Sequence, residues 1–526
     1  MNRFAIILIT VLALGVRLFN SSYPPLLWDE ASLGYNAYSI LETGKDEYGA
    51  TLPLVFKSFG DYKPGLYVYL TIPFVAIFGL NPLSVRLPSI ILGSLLPLLI
   101  YLLILKLSPK SKQLALITAL LISFNPWNIH FSRGAWETNV LLFELALATL
   151  LFVNQKLIWS SLIFGLTFYT YQGGKIMTPL LLSILFFTHL SVFKSFKNIL
   201  RLALPLILLS LPIIYGLVTQ NDANRLSVYA LWNYHRPTND TRQIIGESNQ
   251  LNYNIFHNEA IFFVQNFLTR YFNHFSPKFL IFEGDWQIQR HSAPYIGVIL
   301  YPSIIFVILG IFSTLVSSLK KPDFIFLLWL IIGPLPGALT KDSIQPVRTL
   351  SLSIPLMYFA AKGIIFTFNK IKSILIPITI FSAYLVSFIY YQDLYYHHMT
   401  KVSPAHLLYG YQEAAKYVID HGKDKQVTFT DFYGQPYIYY LFYSKYPPRD
   451  YQAQASLTVD GKDTGKISKI DNIKFEVPSF SFQKTQPKQV LILSYDDAIR
   501  QGIDLKTLTP LSPINNTSTF YAYETN

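Results

Sequence analysis

The chain has 526 residues, 52% of them hydrophobic and 14% charged, with a net charge of +12 and no cysteine. Apolar runs of about 17 to 22 residues recur along it, long enough to cross a bilayer, so a purely soluble architecture is excluded and a polytopic membrane protein is predicted. The missing cysteines exclude disulfides, thiol catalysis and cysteine-ligated metals, and the Lys and Arg between apolar runs read as a topology signal rather than a nucleic-acid footprint.

The first run, residues 4–19, follows Met1-Asn2-Arg3 and is read as a span, because no small-residue cleavage site of a signal peptide follows it. Ten more spans are predicted near 87–106, 113–130, 137–153, 157–171, 177–190, 201–218, 296–317, 323–340, 349–368 and 373–391. The run from Leu66 to Leu80 is about fifteen residues long, contains Pro73 and is placed on the membrane surface. Every inner loop is then basic, with Arg3, Lys106, Lys110, Lys112, Lys156, Lys194, Lys197, Arg201, Lys320, Lys321, Lys370 and Lys372 on the cytoplasmic side. The outer regions are 20–86, 219–295 and 392–526.

In the first outer region, Leu27-Trp28-Asp29-Glu30 opens a stretch in which Leu33, Ala37, Ile40 and Leu41 share a face, which predicts a helix lying on the membrane. Asp29 suits the cap of that helix, and it equally suits general-base work on an acceptor hydroxyl, since a carboxylate at the interface is partly shielded from water. Glu30 is its neighbour. In Gly60-Asp61-Tyr62-Lys63-Pro64-Gly65, Pro64 starts the 66–80 helix and holds Lys63 extended. Lys63 then serves either as a snorkelling interfacial lysine or as a point charge for a phosphate, with Asp61 beside it as a cavity candidate.

Between the third and fourth spans, Arg133 and Glu137 are four apart, the spacing of a helix-surface pair. They are also cavity candidates, because charge near a membrane core is costly unless it lines a wet space. Tyr171 and Lys175 add an aromatic and a basic group at the same level. Arg290 and His291 precede the eighth span, and Asp342 with Arg348 lies before the tenth. Acid, His and Arg there suit a phosphate clamp; the ligand spacing is too scattered to assign a metal or other cofactor, and a divalent ion is left open.

The tail loses the span pattern and alternates: a helix over 405–420, a strand over 427–430, a helix over 435–442 and a strand over 490–493. A small α/β extracytoplasmic domain, 392–526, is thus expected after a membrane domain of about eleven spans, 1–391. It has no glycine-rich phosphate loop, so nucleotide binding is unsupported.

Outer carboxylates with dispersed outer cations point to a reaction on an anionic lipid at the outer face of the cell membrane. A polyprenyl-phosphate sugar fits: the tail dissolves in the bilayer, the phosphate meets Lys or Arg, and the sugar passes to a hydroxyl on a protein, lipid or glycan acceptor. A polymerase or ligase of lipid-linked glycans would need the same site. A lipid or glycan flippase or transporter would show paired broken helices or an internal repeat, and none is evident. A scaffold would leave the clustered charges without a role.

The acidic pair Asp29-Glu30, Lys63-Pro64 before a juxtamembrane helix, and the span arrangement over roughly residues 5–400 resemble the GT-C superfamily of lipid-carrier-dependent glycosyltransferases, which includes protein O-mannosyltransferases and lipid A aminoarabinose transferases. The resemblance implies that Asp29 is the base, with Glu30 as its neighbour, and that Lys63 meets the donor phosphate in an inverting displacement. Members commonly show Lys-Pro-Pro, where this chain has Lys63-Pro64-Gly65. Arg133, Glu137, Lys175, Arg290, His291 and Arg348 look similar to polar positions of bacterial members, and the tail looks like their outer domains.

Overall fold

The computed structural model describes residues 2–219, 230–231, 246–459 and 465–526, so much of the expected outer region 219–295 lies outside the described residues. The first nine helices and a hairpin are α1 Asn2–Leu18, α2 Trp28–Thr43, β1 Val55–Ser58, β2 Asp61–Pro64, α3 Leu66–Phe78, α4 Pro82–Leu107, α5 Lys112–Phe124, α6 Pro126–Arg133, α7 Glu137–Val153, α8 Leu157–Thr170 and α9 Gly174–Thr188. Further long helices are Phe196–Thr219, Tyr301–Leu315, Lys321–Ile332, Ser353–Lys370 and Leu375–Asp393. Each of the eleven predicted spans overlaps a helix. By length and composition, five helical segments among the described residues can cross a membrane, or six if α5 and α6 form one bent span; α3, α8, α9 and Tyr301–Leu315 are shorter apolar helices.

Two local expectations change. The single span predicted over 113–130 is broken, with α5 and α6 bent by 54°. Pro126 is the cause: it keeps Asn125 extended, at ψ 127, and starts α6 at its own first turn. Arg133 then ends α6 and Glu137 starts α7, with Gly134 extended between them, so the two are not four apart on one helix and the surface pair expected from their spacing does not form that way.

In the tail, helices Tyr411–His421 and Pro436–Ser444 and strands Gln426–Phe429 and Gln489–Ser494 follow the expected alternation, although the first helix starts six residues later than expected, after turns over 404–410. The two strands run parallel at the centre of a six-stranded mixed sheet, extended on one side by Ile473–Phe475 and Lys469–Ile470 and on the other by Phe520–Glu524 and Thr509–Pro510. Its core is shared with the first outer region: Tyr35, Phe56, Tyr67 and Val85 belong to one apolar cluster with Phe429, Phe442 and Val490. Polar contacts cross the same boundary, since the Tyr439 hydroxyl donates to the Leu26 carbonyl at 3.0 Å and the Tyr35 hydroxyl to the Tyr446 carbonyl at 3.0 Å. The tail therefore packs directly on α2, the helix that carries Asp29.

Beneath α2 lies a buried acid. Glu47 is fully enclosed, accepting from Asn36 Nδ2 at 3.0 Å and Ser32 Oγ at 3.4 Å. Burial pushes its pKa up to about 8, against the smaller opposing effects of Asn36 and Ser32. Farther into the bundle, Tyr301–Leu315 and Ser353–Lys370 cross so closely that a Cβ on Gly310 would sit 1.8 Å from the Phe359 carbonyl oxygen, and one on Gly363 would sit 2.0 Å from that of Phe306. Without water to drive helices together, close backbone approach at small residues is a main source of packing energy in a membrane.

Gly363→Ala should push these helices apart and cost about 1–3 kcal/mol, the usual scale of overpacking; a detergent-solubilised variant with the wild-type unfolding temperature would contradict the close crossing. For Glu47 the sign follows from its raised pKa. Between the ordinary carboxyl range near about 4.3 and the folded value, the native state keeps a proton that the unfolded chain has released, so its contribution is full below the unfolded pKa and is lost as pH rises through the folded one. Apparent Tm should fall from pH 5 to pH 9, and Glu47→Gln should flatten that fall.

Candidate active site

The chain is extended at Leu27 and turns helical at Trp28. Glu30, at the third helical position, reaches back to accept the Leu27 N–H at 3.0 Å, the acidic half of a capping box. The cap contact considered for Asp29 is thus made by its neighbour. Glu30 is almost fully buried and its two oxygens take four hydrogen bonds: Oε1 from Arg86 Nε at 2.8 Å and the Ala135 N–H at 2.7 Å, Oε2 from Arg86 Nη2 at 2.7 Å and from Leu27. With every acceptor position filled, Glu30 has none left for a substrate proton. It is a positioning group that joins α2 to α4 and to the turn before α7.

Arg86, on the first turns of α4, is the residue that the sequence reading missed. Its other donors go to the carbonyls of Ser21 at 2.8 Å and Pro25 at 3.3 Å, so one guanidinium ties down both the acid and the chain leading to it. The available signal was an arginine inside a 26-residue, otherwise apolar helix, where a charge requires a partner.

Lys63 is delivered by the β1–β2 hairpin. Ser58 pairs with Asp61, and the two residues between them, Phe59 and Gly60, have φ of 53° and 87°, the left-handed pair of a two-residue type I′ turn. The Lys63 ammonium lies 5.4 Å from the Phe59 ring centroid and forms an ion pair with Asp29. The Asp29 side chain is 34% exposed and that of Lys63 13%, so the pair is partly shielded and still reachable.

Asp29, Glu30 and Lys63 line one cavity with Trp136 and Glu137 at the start of α7, Tyr171 and Gln172 after α8, and Arg290, His291, Asp342 and Arg348 from two later loops. Arg290 stacks on Trp28 at 5.5 Å, and its buried Nε has no protein partner among the described residues. Arg348 donates to Asp342 at 3.0 Å and to the Thr340 hydroxyl at 2.9 Å. The 285–292 loop is shaped by Asp285, whose Oδ1 accepts the N–H groups of Gln287 and Ile288 at 2.9 and 2.8 Å and whose Oδ2 lies 2.8 Å from His291 Nδ1. Burial lowers the His291 pKa against the opposing pull of Asp285, which favours a neutral ring bonded to Asp285 through Nδ1.

The remaining predicted residues lie outside this lining. Arg133 is fully buried and donates to four carbonyls at the end of α1 and in the turn after it: Val16 at 2.7 Å, Arg17 at 3.2 Å, Asn20 at 2.8 Å and Tyr23 at 3.2 Å. A cation suits a helix C-terminus, where the last carbonyls lack partners. Asp61 stands two residues before Lys63 on the hairpin, and Lys175 on the first turn of α9. Among the described residues, no three His, Asp or Glu side chains are grouped to hold a metal ion.

Residues 7–197, which include Asp29, Lys63, Arg86 and Glu137, match the family of dolichyl-phosphate-mannose-protein mannosyltransferases. Over 98% of its length the chain is similar in fold to ArnT from Cupriavidus metallidurans, both bound to undecaprenyl phosphate, with a TM-score of 0.53 and 11% identity, and in the apo state, with 0.52 and 12%; 97% of each ArnT chain is covered. The Archaeoglobus fulgidus oligosaccharyltransferase aligns with 89% of this chain and 61% of its own at 13% identity, with a TM-score of 0.44. No curated protein matches the sequence. The family match covers the segment that holds Asp29 and Lys63, and similarity to the ArnT fold extends over nearly the whole chain.

Proposed function

We propose that the chain moves a sugar from a polyprenyl-phosphate donor to an acceptor hydroxyl in the Asp29–Lys63 cavity, by inverting displacement. The observation that carries this reading is the placement of a reachable carboxylate against an ammonium, with Arg290 and Arg348 on the walls of the same cavity. A phosphate-linked sugar needs both halves of that arrangement: a base for the incoming hydroxyl and cations for the departing phosphate.

Asp29 takes the acceptor proton as the acceptor oxygen bonds to the anomeric carbon. The bond from that carbon to the phosphate oxygen breaks, and its electron pair leaves with the lipid phosphate. Lys63 and Arg290 face the charge that develops there. The ion pair gives the two events an order: a donor phosphate competes for Lys63, and as the ammonium turns to it the Asp29 carboxylate is released to accept a proton. Glu30, saturated by Arg86 and two backbone N–H groups, stays fixed. His291 and Glu137 line the space left for the sugar.

The reaction belongs at the outer face. The cavity lies at the helix ends away from Lys106, Lys110, Lys156, Lys194, Lys320 and Lys370, and basic loops mark the cytoplasmic side. ArnT, whose fold this chain shares, is described as bound to undecaprenyl phosphate, which agrees with a lipid-phosphate donor here.

Asp29→Asn keeps the volume beside Lys63 and should lower turnover with a polyprenyl-phosphate sugar by about 10²- to 10⁴-fold; a folded, purified variant working at the normal rate would remove Asp29 as the base. Lys63→Ala should raise the donor KM and lower kcat by about 10²-fold or more, the scale of one lost electrostatic donor. Unchanged donor affinity and turnover in that variant would remove the phosphate role of Lys63.

A further inference from the structure

At the opposite end of the bundle lies a second cavity, of about 510 Å³. It opens between the loop after α4, the end of Tyr301–Leu315, the start of Lys321–Ile332 and the C-terminal part of Ser353–Lys370. The distance from the Asp29 cavity is set by the helices between: α4 carries Arg86 beside Glu30 near its start and ends at the second cavity, and the stretch from Arg86 to Leu107 spans about 33 Å.

We propose that this cavity binds the phosphate headgroup of an anionic phospholipid. Three lysines, Lys110, Lys320 and Lys362, line it with one acid, Asp323. Asp323 is buried and committed: Lys362 Nζ donates to it at 2.6 Å and the Tyr358 hydroxyl at 2.7 Å. That neutral pair leaves Lys110 and Lys320 as a surplus of two positive charges, and among the described residues neither is in an ion pair with an acid. The hydroxyls of Ser108 and Ser111 are 2.7 Å apart and use only one of their two protons on each other, so one remains to donate to an anion.

The surroundings favour a lipid over a free anion. Phe366 and Ile365 form part of the wall, and from the rim the exposed side chains of Phe312, Leu315 and Leu319 continue as an apolar surface on which acyl chains can lie. Lysines at the inner ends of spans commonly mark topology alone. Here they converge in a concave space with hydroxyl donors, the form that basic lipid-headgroup pockets between helices take.

The test is native mass spectrometry of delipidated full-length protein titrated with phosphatidylglycerol or phosphatidylcholine. Phosphatidylglycerol should bind more tightly, and Lys110→Gln/Lys320→Gln should weaken that binding at least tenfold while keeping the wild-type unfolding temperature. Lys194→Gln/Lys197→Gln, which removes the same charge from another loop, should leave it unchanged. So should Lys63→Ala, which separates this site from the donor cavity. The proposal is overturned if the Lys110/Lys320 variant binds as the wild type does, if phosphatidylcholine binds equally well, if the Lys194/Lys197 variant loses as much, or if inorganic phosphate at the lipid's concentration displaces the lipid.

Discussion

The buried pair of Glu30 and Arg86 is the contact on which the site depends. The Asp29 carboxylate, on the first turn of α2, keeps its place beside Lys63 only if that helix is fixed against the bundle. Glu30 does this by spending its whole acceptor capacity on Arg86 of α4, Ala135 before α7 and the backbone of its own helix start. Removing one partner of such a pair strands the other charge in a dry site, typically at about 3–5 kcal/mol. The adjacent acids therefore divide their work: one is saturated and immobile, and the other is left half-exposed beside Lys63.

The arginines divide in the same way. Arg86 and Arg133 are enclosed and give their donors to a carboxylate or to backbone carbonyls, and Arg17 donates to Ser132 at 2.6 Å and to the carbonyls of Ala13 and Ser123 at 3.0 and 3.2 Å. Charge in a low-dielectric interior persists only where acceptors surround it, so these residues hold helix ends together. Lys63, Arg290 and Arg348 instead come from a hairpin and two loops, where a side chain can face a cavity. Arg290 keeps a buried Nε without a protein acceptor among the described residues.

The tail belongs to this arrangement. Its helix Pro436–Ser444 packs on α2, with Phe442 close against Gly34 beside Val85 of α4, so the helix bearing Asp29 is held by the tail and the bundle together.

Much of this was determined by local sequence. Apolar runs impose helices in a bilayer because backbone groups there must pair within the segment, and the helix after Trp28 and the strands at 427–430 and 490–493 follow from periodicity and β-branched content. The break at Asn125 had a local signal in the proline that follows it, which the single span expected over 113–130 did not use. Asp29, Lys63, Arg290 and Arg348 could be named as charged residues at the ends of apolar runs. The sequence could not decide which charges face a ligand and which are consumed by the protein. Glu30 and Arg86 are 56 positions apart and Arg133 reaches carbonyls more than a hundred positions away, so no local spacing announces either contact. Those assignments depend on how the helix ends converge, and only the tertiary structure brings the partners within hydrogen-bonding distance.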